Sequence, residues 1–442
     1  MAGAAEPLGV ERALELAQAR SGKLGGASAE LTQKQEQVLA TQGLGGPVVS
    51  VAALGYGYDV NRNVSLQPFA SNLNNAIGSL PFPLPVPLPP IPESVPLSIN
   101  RTGAIGFLNG VVPLYTGGRI EGLRGVAVGK AAEAQASQVQ TRDEVQAQLL
   151  QRYFGVQASA RLAAVREAAR VGVGKHLETA QRMEGAGLIA RVDRLQADVA
   201  YEGALRDASK AQHDLALARS ALAAMVPEAA AAPLATPLFV DSGPLEPLDI
   251  YVARGEASHP GLAVVRAKRQ QVEAANMVED GVHKPSVLAF GIGQLASSKP
   301  DWMVGLALNW VLFDGIDRAA VVRSGHAAEM QVDEAERQAR QDIALLVERN
   351  WRNTDQAKVK FLSLRADESL AREVLRLREK GLAEGLGTAV DVIDAQLNLA
   401  RVQAEQAGAA YEYSQSLAAL LGAVGELDQF PRRAAAADIQ LR

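Results

Sequence analysis

The chain contains no cysteine, few aromatic residues and no long hydrophobic run. Without cysteine there is no disulfide, no thiolate metal site and no cysteine to carry an N-terminal lipid. No segment of 18 or more apolar residues occurs, so the sequence predicts no transmembrane helix. Aromatic residues make up only 5% of the 442 residues, whereas alanine is abundant throughout. This composition is typical of long, closely packed helices and not of one large globular core.

Signals of catalysis and of nucleic-acid binding are also missing. The net charge is -5, with 21% charged residues, so no basic field favours nucleic acid. The five histidines are scattered, with no pair at metal-ligand spacing and no phosphate-binding loop. The sequence therefore predicts no enzyme, no catalytic residues, no metal site and no cofactor.

The first seven residues, Met1 to Pro7, lack the basic and apolar regions of a signal peptide. We expect a mature form from which the signal was removed. The strands described below favour this interpretation over a cytosolic protein.

One turn occurs twice, 198 residues apart. The later copy begins at Gly385 and continues Leu-Gly-Thr-Ala-Val-Asp-Val-Ile-Asp-Ala-Gln, and the earlier copy begins at Gly187 and continues Leu-Ile-Ala-Arg-Val-Asp-Arg-Leu-Gln-Ala. In each copy an aspartate, Asp193 or Asp391, lies six residues after the glycine and opens an Ala-rich segment. The pattern predicts two helical hairpins, each with a glycine-containing turn at its tip.

The same shift aligns further residues, which favours a tandem duplication of strand, strand, long helix, turn and helix. The aligned pairs are Leu114 with Leu312, Tyr115 with Phe313, Gly117 with Gly315, Tyr153 with Trp351 and Leu222 with Leu420.

Four strands are predicted, at 48–58, 104–115, 285–295 and 302–313. In the fourth, every second residue from Trp302 to Leu312 is large and apolar. Trp302 and Trp310 are eight residues apart, or roughly 26 Å along a strand, which suits the two aromatic belts of a membrane-spanning strand. A buried strand of a soluble sandwich shows the same alternation, so that alternative stays open. Four strands cannot close a barrel, so a membrane barrel needs several chains.

Residues 59–102 are predicted to form a long connection between the first two strands. Within it, the alternating prolines of residues 81–92 favour an extended polyproline II segment. A stiff surface loop is the favoured interpretation, with a recognition motif for aromatic-lined domains as the alternative.

Two proline-free segments, 119–183 and 318–380, predict very long helices. The helix after the second turn carries two apolar seams with spacings of three and four residues, which predicts a neighbouring helix on each side. The first seam is Val390, Ile393, Leu397, Ala400, Ala404, Ala407 and Tyr411, and the second is Ala395, Leu399, Val402, Ala409, Tyr413 and Leu420. Helices with two neighbours form a sheet or a cylinder, whereas a two-stranded coiled coil needs one seam.

With these features the chain resembles the TolC-like outer-membrane efflux proteins. The resemblance rests on the turn Gly-x-x-Thr-x-x-Asp-Val-Ile-Asp-Ala-Gln at 385–396, its partner at 187–197, the Val-Leu-Phe-Asp-Gly sequence at 311–315 and the duplicated layout. It covers nearly the whole chain.

The resemblance implies a mainly α fold with a small β part. Three chains would form one α-barrel of long coiled-coil helices, continuous with a 12-stranded transmembrane β-barrel to which each chain contributes four strands. The implied protein is the exit duct of a tripartite efflux or type I secretion system, in the outer membrane of a Gram-negative bacterium with a large periplasmic part. Its implied partners are outer-membrane lipid, a periplasmic adaptor (membrane fusion) protein and an inner-membrane transporter.

Seven segments follow from this layout. They are 1–46 (N-terminal helical segment), 47–118 (β-hairpin 1 with the Pro-rich loop), 119–226 (helical hairpin 1), 227–284 (linker and helix of the equatorial region), 285–317 (β-hairpin 2), 318–425 (helical hairpin 2) and 426–442 (C-terminal tail).

The resemblance also assigns roles to residues of the turns. Asp391 and Asp394 match the acidic rings that narrow the pore, and Asp193 matches a residue that locks neighbouring helix pairs. The family's usual tyrosine and arginine on the second turn are replaced by Leu382 and Gly387. Arg191 or Arg194 is therefore hypothesised to supply the positive partner. The residues that match the adaptor-contacting tips are Gly187, Leu188, Gly385 and Leu386, and the membrane-interface aromatics are Trp302 and Trp310.

The spacing of Asp391 and Asp394, i and i+3, places both on one helical face. Three copies would bring six carboxylates together, attract cations and raise some of the carboxyl pKa values. Helix capping by a first-turn aspartate is the alternative for the same residues. For the whole chain the competing function is a soluble periplasmic coiled-coil adaptor or scaffold. Two helical hairpins with only four strands favour the duct, because adaptors have one hairpin flanked by β-rich domains.

Overall fold

The computed structural model describes residues 7–78, 91–295 and 301–441, and most of the described residues are helical. The helices in these ranges are α1 (Val10–Arg20), α2 (Gly22–Gln42), α3 (Gln67–Gly78), α4 (Arg119–Gly185), α5 (Arg191–Ala223), α6 (Leu248–Ser258), α7 (Pro260–Val282), α8 (Arg318–Ala383), α9 (Ala389–Ala423) and α10 (Phe430–Ala436). The strands are β1 (Val48–Ser65), β2 (Ser94–Tyr115), β3 (Leu238–Val240), β4 (Ser286–Leu295), β5 (Trp302–Asn309) and β6 (Ile439–Leu441).

The chain divides into two compact units. A helical unit comprises Met1–Gln42, Gly122–Asn276 and Arg318–Arg442, and a sheet unit comprises Gly43–Glu121 and Met277–Asp317. The predicted mixture of many helices and a small β part is confirmed.

The two very long helices are present as predicted. α4 has 67 residues and α8 has 66, and each is followed after a short turn by a helix of 33 or 35 residues. Neither long helix contains proline, which would remove an intrahelical hydrogen bond.

The apolar seams of α9 are both used, but to different extents. All six residues of the second seam are buried, together with Gln406, which interrupts it. In the first seam Ile393, Ala400 and Ala407 are buried, whereas the other four residues are half-buried. Within one chain the second seam of α9 is therefore fully covered, whereas its first seam is only partly covered.

An aromatic cluster holds the middle of the helical unit together. Phe154 of α4 lies edge-on to Phe239 of β3 and to Phe430 of α10, each at 5.6 Å between ring centroids. Tyr413 of α9 meets Phe239 at 6.0 Å. β3 pairs with β6, so the C-terminal tail, which carries little information in the sequence, closes this core.

The other four strands form one antiparallel sheet in the order β1-β2-β4-β5. β1 and β2 pair continuously from Val48 with Val111 to Ser65 with Ser94. The prediction of a connection over 59–102 was wrong, because cross-strand pairing extends through both ends of it and α3 follows β1. Pro96 is tolerated in β2 because β4 pairs with β2 only from Gly106 onward, so the strand has a free edge at the proline.

Two further predictions are corrected or lie outside the described residues. β5 ends at Asn309 and not at 313, because its partner strand begins at Ser286 and the preceding Pro285 has no amide hydrogen to continue the ladder. Most of the Pro-rich stretch, residues 81–90, lies outside the described residues.

Candidate functional site

The first hairpin tip is a helix end closed by a glycine in the left-handed conformation. Gly187 has φ +72° and its amide donates to the Glu184 carbonyl at 2.9 Å. The Leu188 amide donates to the Met183 carbonyl at 2.8 Å. These two bonds form a Schellman motif, which satisfies carbonyls that the end of α4 leaves without intrahelical partners.

The second tip has the same geometry. Gly385 has φ +75°, its amide donates to the Leu382 carbonyl at 3.2 Å, and the Leu386 amide donates to the Gly381 carbonyl at 2.8 Å. The repeated turn of the sequence is therefore one repeated backbone structure. Glycine adopts the left-handed conformation without the steric cost that other residues have, which accounts for Gly187 and Gly385 at matched positions.

Both tips present a leucine to solvent in the single chain. Leu188 is 70% exposed and Leu386 is 82% exposed. Each follows the left-handed glycine directly, so the turn that ends the helix also fixes where the apolar side chain stands. The structure thus places all four predicted tip residues at the ends of the two hairpins.

Asp391 closes the start of α9 through a capping box. Thr388 is the N-cap residue, and its Oγ1 accepts from the Asp391 amide at 3.1 Å. The Asp391 Oδ2 accepts from the Thr388 amide at 3.1 Å and from the Thr388 hydroxyl at 2.8 Å. These hydrogen bonds, and more weakly the Arg378 guanidinium, hold the pKa of Asp391 below its usual value.

Asp193 makes half of the same motif at the start of α5. Its Oδ2 accepts from the Ala190 amide at 3.3 Å. Ala190 stands where the second tip has Thr388 and has no side-chain oxygen, so the reciprocal bond is missing. Capping, the alternative interpretation of these aspartates, is therefore a real contribution of both within one chain.

Asp394 differs from Asp391 because it makes no contact that stabilises the turn. It is exposed, and among the described residues it makes no hydrogen bond or ion pair. The two carboxylates assigned to the same ring are therefore separable, because only Asp391 also stabilises the turn. This separation is what makes the ring assignment testable.

The cations near the tips are not distributed as the hypothesis about Arg191 and Arg194 assumed. Arg194 binds Glu184 of α4 at 2.9 Å and also pairs with Asp198, so it ties together its own hairpin. Arg191 is exposed and has no partner among the described residues. A role for either arginine between copies of the chain stays a prediction.

The cation beside Asp391 is Arg378, which the sequence interpretation missed. Its Nη1 lies 3.6 Å from the Asp391 Oδ1, across the turn from α8 to α9. Both side chains are more than one third exposed, so the pair itself adds little stability. A spacing of 13 residues across a tight turn is the sequence signal that could have identified it.

Below the tips the two hairpins share a small apolar cluster. Its buried members are Val173, Ala180, Ala197, Ala204, Ala389 and Ile393. Most are alanines, whose small side chains let the helices approach closely. Ile393 lies between Asp391 and Asp394 in sequence, so the helix turn that carries both carboxylates is anchored by its opposite face.

We expect Thr388→Ala to destabilise the first turn of α9 by about 1 kcal/mol, since it removes the N-cap oxygen. Ala190→Thr is the matched change, and it should stabilise the first turn of α5 by up to about 1 kcal/mol because it completes the box with Asp193. Hydrogen–deuterium exchange of the amides at 389–392 and 191–194 measures both effects.

The first of these effects has a pH dependence with a defined sign. Because the pKa of Asp391 is lowered in the folded chain, its stabilisation is complete above the unfolded value of about 4 and is lost as the pH falls through the folded pKa. The Asp391 share of the protection should therefore disappear in acid. Unchanged exchange in Thr388→Ala at neutral pH would contradict the capping role.

The predicted interface aromatics lie on and just after β5. Trp302 is 74% exposed and Trp310 is 55% exposed. Trp310 follows the end of the strand, and its Nε1 donates to the His283 carbonyl at 3.3 Å. Val304, Leu306 and Leu308 share the exposed face of Trp302, as the alternation predicted.

In the described ranges no helix combines the length and apolar character needed to cross a membrane. The same residues contain no group of three or more potential metal ligands.

A family model and a known relative both indicate the same kind of protein. Residues 254–426 match the model of the outer membrane efflux protein family. The outer membrane protein TolC of Vibrio cholerae is 25% identical to the chain over 323 residues, which are 68% of this chain and 72% of that protein. Residues 254–426 therefore match an outer membrane efflux protein domain, and the chain as a whole is similar to TolC. The resemblance drawn from the repeated turn is thereby confirmed.

Solved structures of outer membrane proteins share the fold. The outer membrane protein VceC of Vibrio cholerae superposes with a TM-score of 0.74 at 16% identity, over 94% of this chain and 96% of VceC. The Campylobacter jejuni CmeC outer membrane channel gives a TM-score of 0.74 at 12% identity, over 95% of this chain and 86% of CmeC. At these identities the likeness concerns the fold alone.

Proposed function

We propose that this efflux protein is a passive outer-membrane channel that works as a homotrimer. In this proposal three four-stranded sheets close one 12-stranded barrel in the outer membrane. The helical hairpin tips lie in the periplasm, where an adaptor protein and an inner-membrane transporter open them. The solved relatives are described as outer membrane proteins or channels, which supports the same role here.

The observation that carries the proposal is the sheet with two open edges and an apolar exposed face. β1 and β5 are the edge strands, and the face with Trp302, Val304, Leu306 and Leu308 is exposed in the single chain. Unpaired backbone groups are not tolerated in lipid, so a sheet that spans a membrane must close. β1 of one copy pairing with β5 of the next closes a ring with rotational symmetry.

The helical tips supply the second part of the proposal. Three copies of Asp391 and Asp394 would place six carboxylates around the axis, which attracts cations and resists anions. The exposed Leu188 and Leu386 are apolar contacts for the adaptor. Arg378 is added to the residues proposed to hold the closed state, because it already lies beside Asp391.

A soluble periplasmic adaptor or scaffold is the competing function. It would need the exposed face of β5 to be covered by protein within one soluble chain. That face is instead open to solvent along its whole length, which favours lipid as its environment.

The test is the state of the protein extracted from membranes. We expect extraction only with detergent, a native mass of three chains and cation-selective conductance after reconstitution into planar bilayers. A monodisperse soluble monomer obtained without detergent would reject the proposal. A trimer without conductance would reject the channel but keep the assembly.

A further inference from the structure

The hairpin of β1 and β2 is much longer than the sheet to which it belongs. β4 pairs with β2 only as far as Leu295 with Gly106, whereas β1 and β2 continue for 12 more residue pairs, from Leu54 with Ile105 to Ser65 with Ser94. We call these 12 pairs the outer ribbon. At about 3.4 Å per residue it extends roughly 40 Å as two strands alone.

The register places the start of the outer ribbon just beyond the level of Trp302. Trp302 pairs with Gly293, Gly293 with Leu108, and Leu108 with Val51. Trp302 and Val51 therefore lie level on one face of the sheet, which we call the Trp face. The outer ribbon begins three residues after Val51, beyond the end of β4 at Leu295 and the start of β5 at Trp302.

From this point outward the hairpin is apolar on one side only. Within the sheet both faces carry large apolar residues: Val49, Val51 and Leu108 are on the Trp face, and Val48, Phe107 and Val111 are on the opposite face. Along the outer ribbon the Trp face carries only small or polar residues, namely Gly55, Gly57, Asp59, Asn61, Asn63 and Ser65 with Ser94, Pro96, Ser98, Asn100, Thr102 and Ala104. The opposite face carries Leu54, Tyr56, Tyr58, Val60, Val64, Val95, Leu97, Ile99 and Ile105.

This opposite face, the ribbon apolar face, is a continuous surface. The rings of Tyr56 and Tyr58 stack at 6.1 Å with an interplanar angle of 16°. Tyr56 also lies across its partner Gly103, where an added Cβ would come within 2.9 Å of the tyrosine oxygen. Arg62 and Arg101 share the face, and their stems can lie along apolar neighbours while the guanidinium groups reach water.

The ribbon apolar face needs a cover, because a two-stranded ribbon with an exposed apolar side is not stable in water. In the proposed barrel the Trp face is the lipid side, so the ribbon apolar face is on the side of the barrel axis. Resting on that proposed function, we infer that the outer ribbons of three copies pack their apolar faces against one another over the outer mouth of the channel. The other two copies are the occupants that this one-sided surface favours, because lipid covers the Trp face and the ribbon apolar face is turned away from it.

The absence of cysteine gives a clean background for the test. Val60→Cys places one thiol on the ribbon apolar face, and Asn61→Cys places one on the polar face, one residue away. Ile99→Cys and Asn100→Cys repeat the comparison on β2, since Ile99 is the partner of Val60. A short bismaleimide applied to outer membranes should link Val60→Cys and Ile99→Cys into covalent dimers and leave both asparagine variants as single chains.

Labelling of intact cells with a membrane-impermeant maleimide completes the test. We expect labelling of Asn61→Cys and Asn100→Cys and its loss in Val60→Cys and Ile99→Cys. Equal labelling of both faces would overturn the inference. So would Val60→Cys that is never cross-linked and becomes labelled only in bilayers without lipopolysaccharide, because lipid would then be the cover. The native mass distinguishes failure of this inference from failure of the proposed function. A trimer without ribbon cross-links rejects only this inference, whereas a monomer rejects the proposed function.

Discussion

Phe154→Ala should lower the free energy of unfolding by about 3–5 kcal/mol, the usual cost of removing a fully buried aromatic ring. Phe154 has no exposed surface and lies edge-on to Tyr153, Phe239 and Phe430 at 5.3–5.6 Å. Each such pair contributes about 0.5–1.5 kcal/mol beyond its buried area. The ring connects α4 with β3 and α10, so its loss leaves a cavity among elements distant in sequence.

The measurement is the midpoint of guanidinium unfolding in detergent, at one fixed protein concentration because subunit association adds to apparent stability. Phe154→Leu is the matched control, and it should cost less than about 1.5 kcal/mol since it keeps most of the apolar volume. Equal midpoints for wild type and Phe154→Ala would show that this cluster does not hold the helical unit together.

Asp394→Asn should reduce the cation preference of the reconstituted channel while leaving the hairpin turn intact. The reason is that Asp394 is exposed and makes no local bond among the described residues. Asp391→Asn should reduce the cation preference as well, and should also increase hydrogen exchange at 389–392, because its carboxylate accepts both hydrogen bonds of Thr388. We expect changes of up to roughly tenfold in permeability ratio, the lower end of what a focused field of one sign does to local ion concentration.

Single-channel conductance and reversal potentials in a KCl gradient measure the selectivity. Glu412→Gln is the control, because it removes the same charge from α9 but lies 21 residues further along the helix, roughly 32 Å away. Unchanged conductance and selectivity in both aspartate variants would remove the gate assignment. Unchanged selectivity with altered exchange in Asp391→Asn alone would leave capping as its role.

The helices and their turns could be predicted from the sequence because their signals are local. Each signal involves residues that are close in sequence. The signals are a glycine at the left-handed position, an aspartate three residues after the N-cap and a long segment without proline. The alternation of β5 is local too, and it predicted the exposed face that carries Trp302. Thr388 belongs to this class as well, because its spacing of three residues from Asp391 is a local capping pattern.

Other features depend on which distant segments pair, and only the tertiary structure decided them. The aromatic core joins residues 154, 239 and 430, whose positions share no sequence pattern. The outer ribbon exists because residues 54–65 pair with residues 94–105. The composition of residues 59–102 had instead favoured a loop. A strand owes its stability to cross-strand neighbours more than to its own residues, so its length is set by the partner and not by local propensity. For the same reason the loss of large apolar residues from the Trp face after Ala53 became visible only when the register related both strands to Trp302.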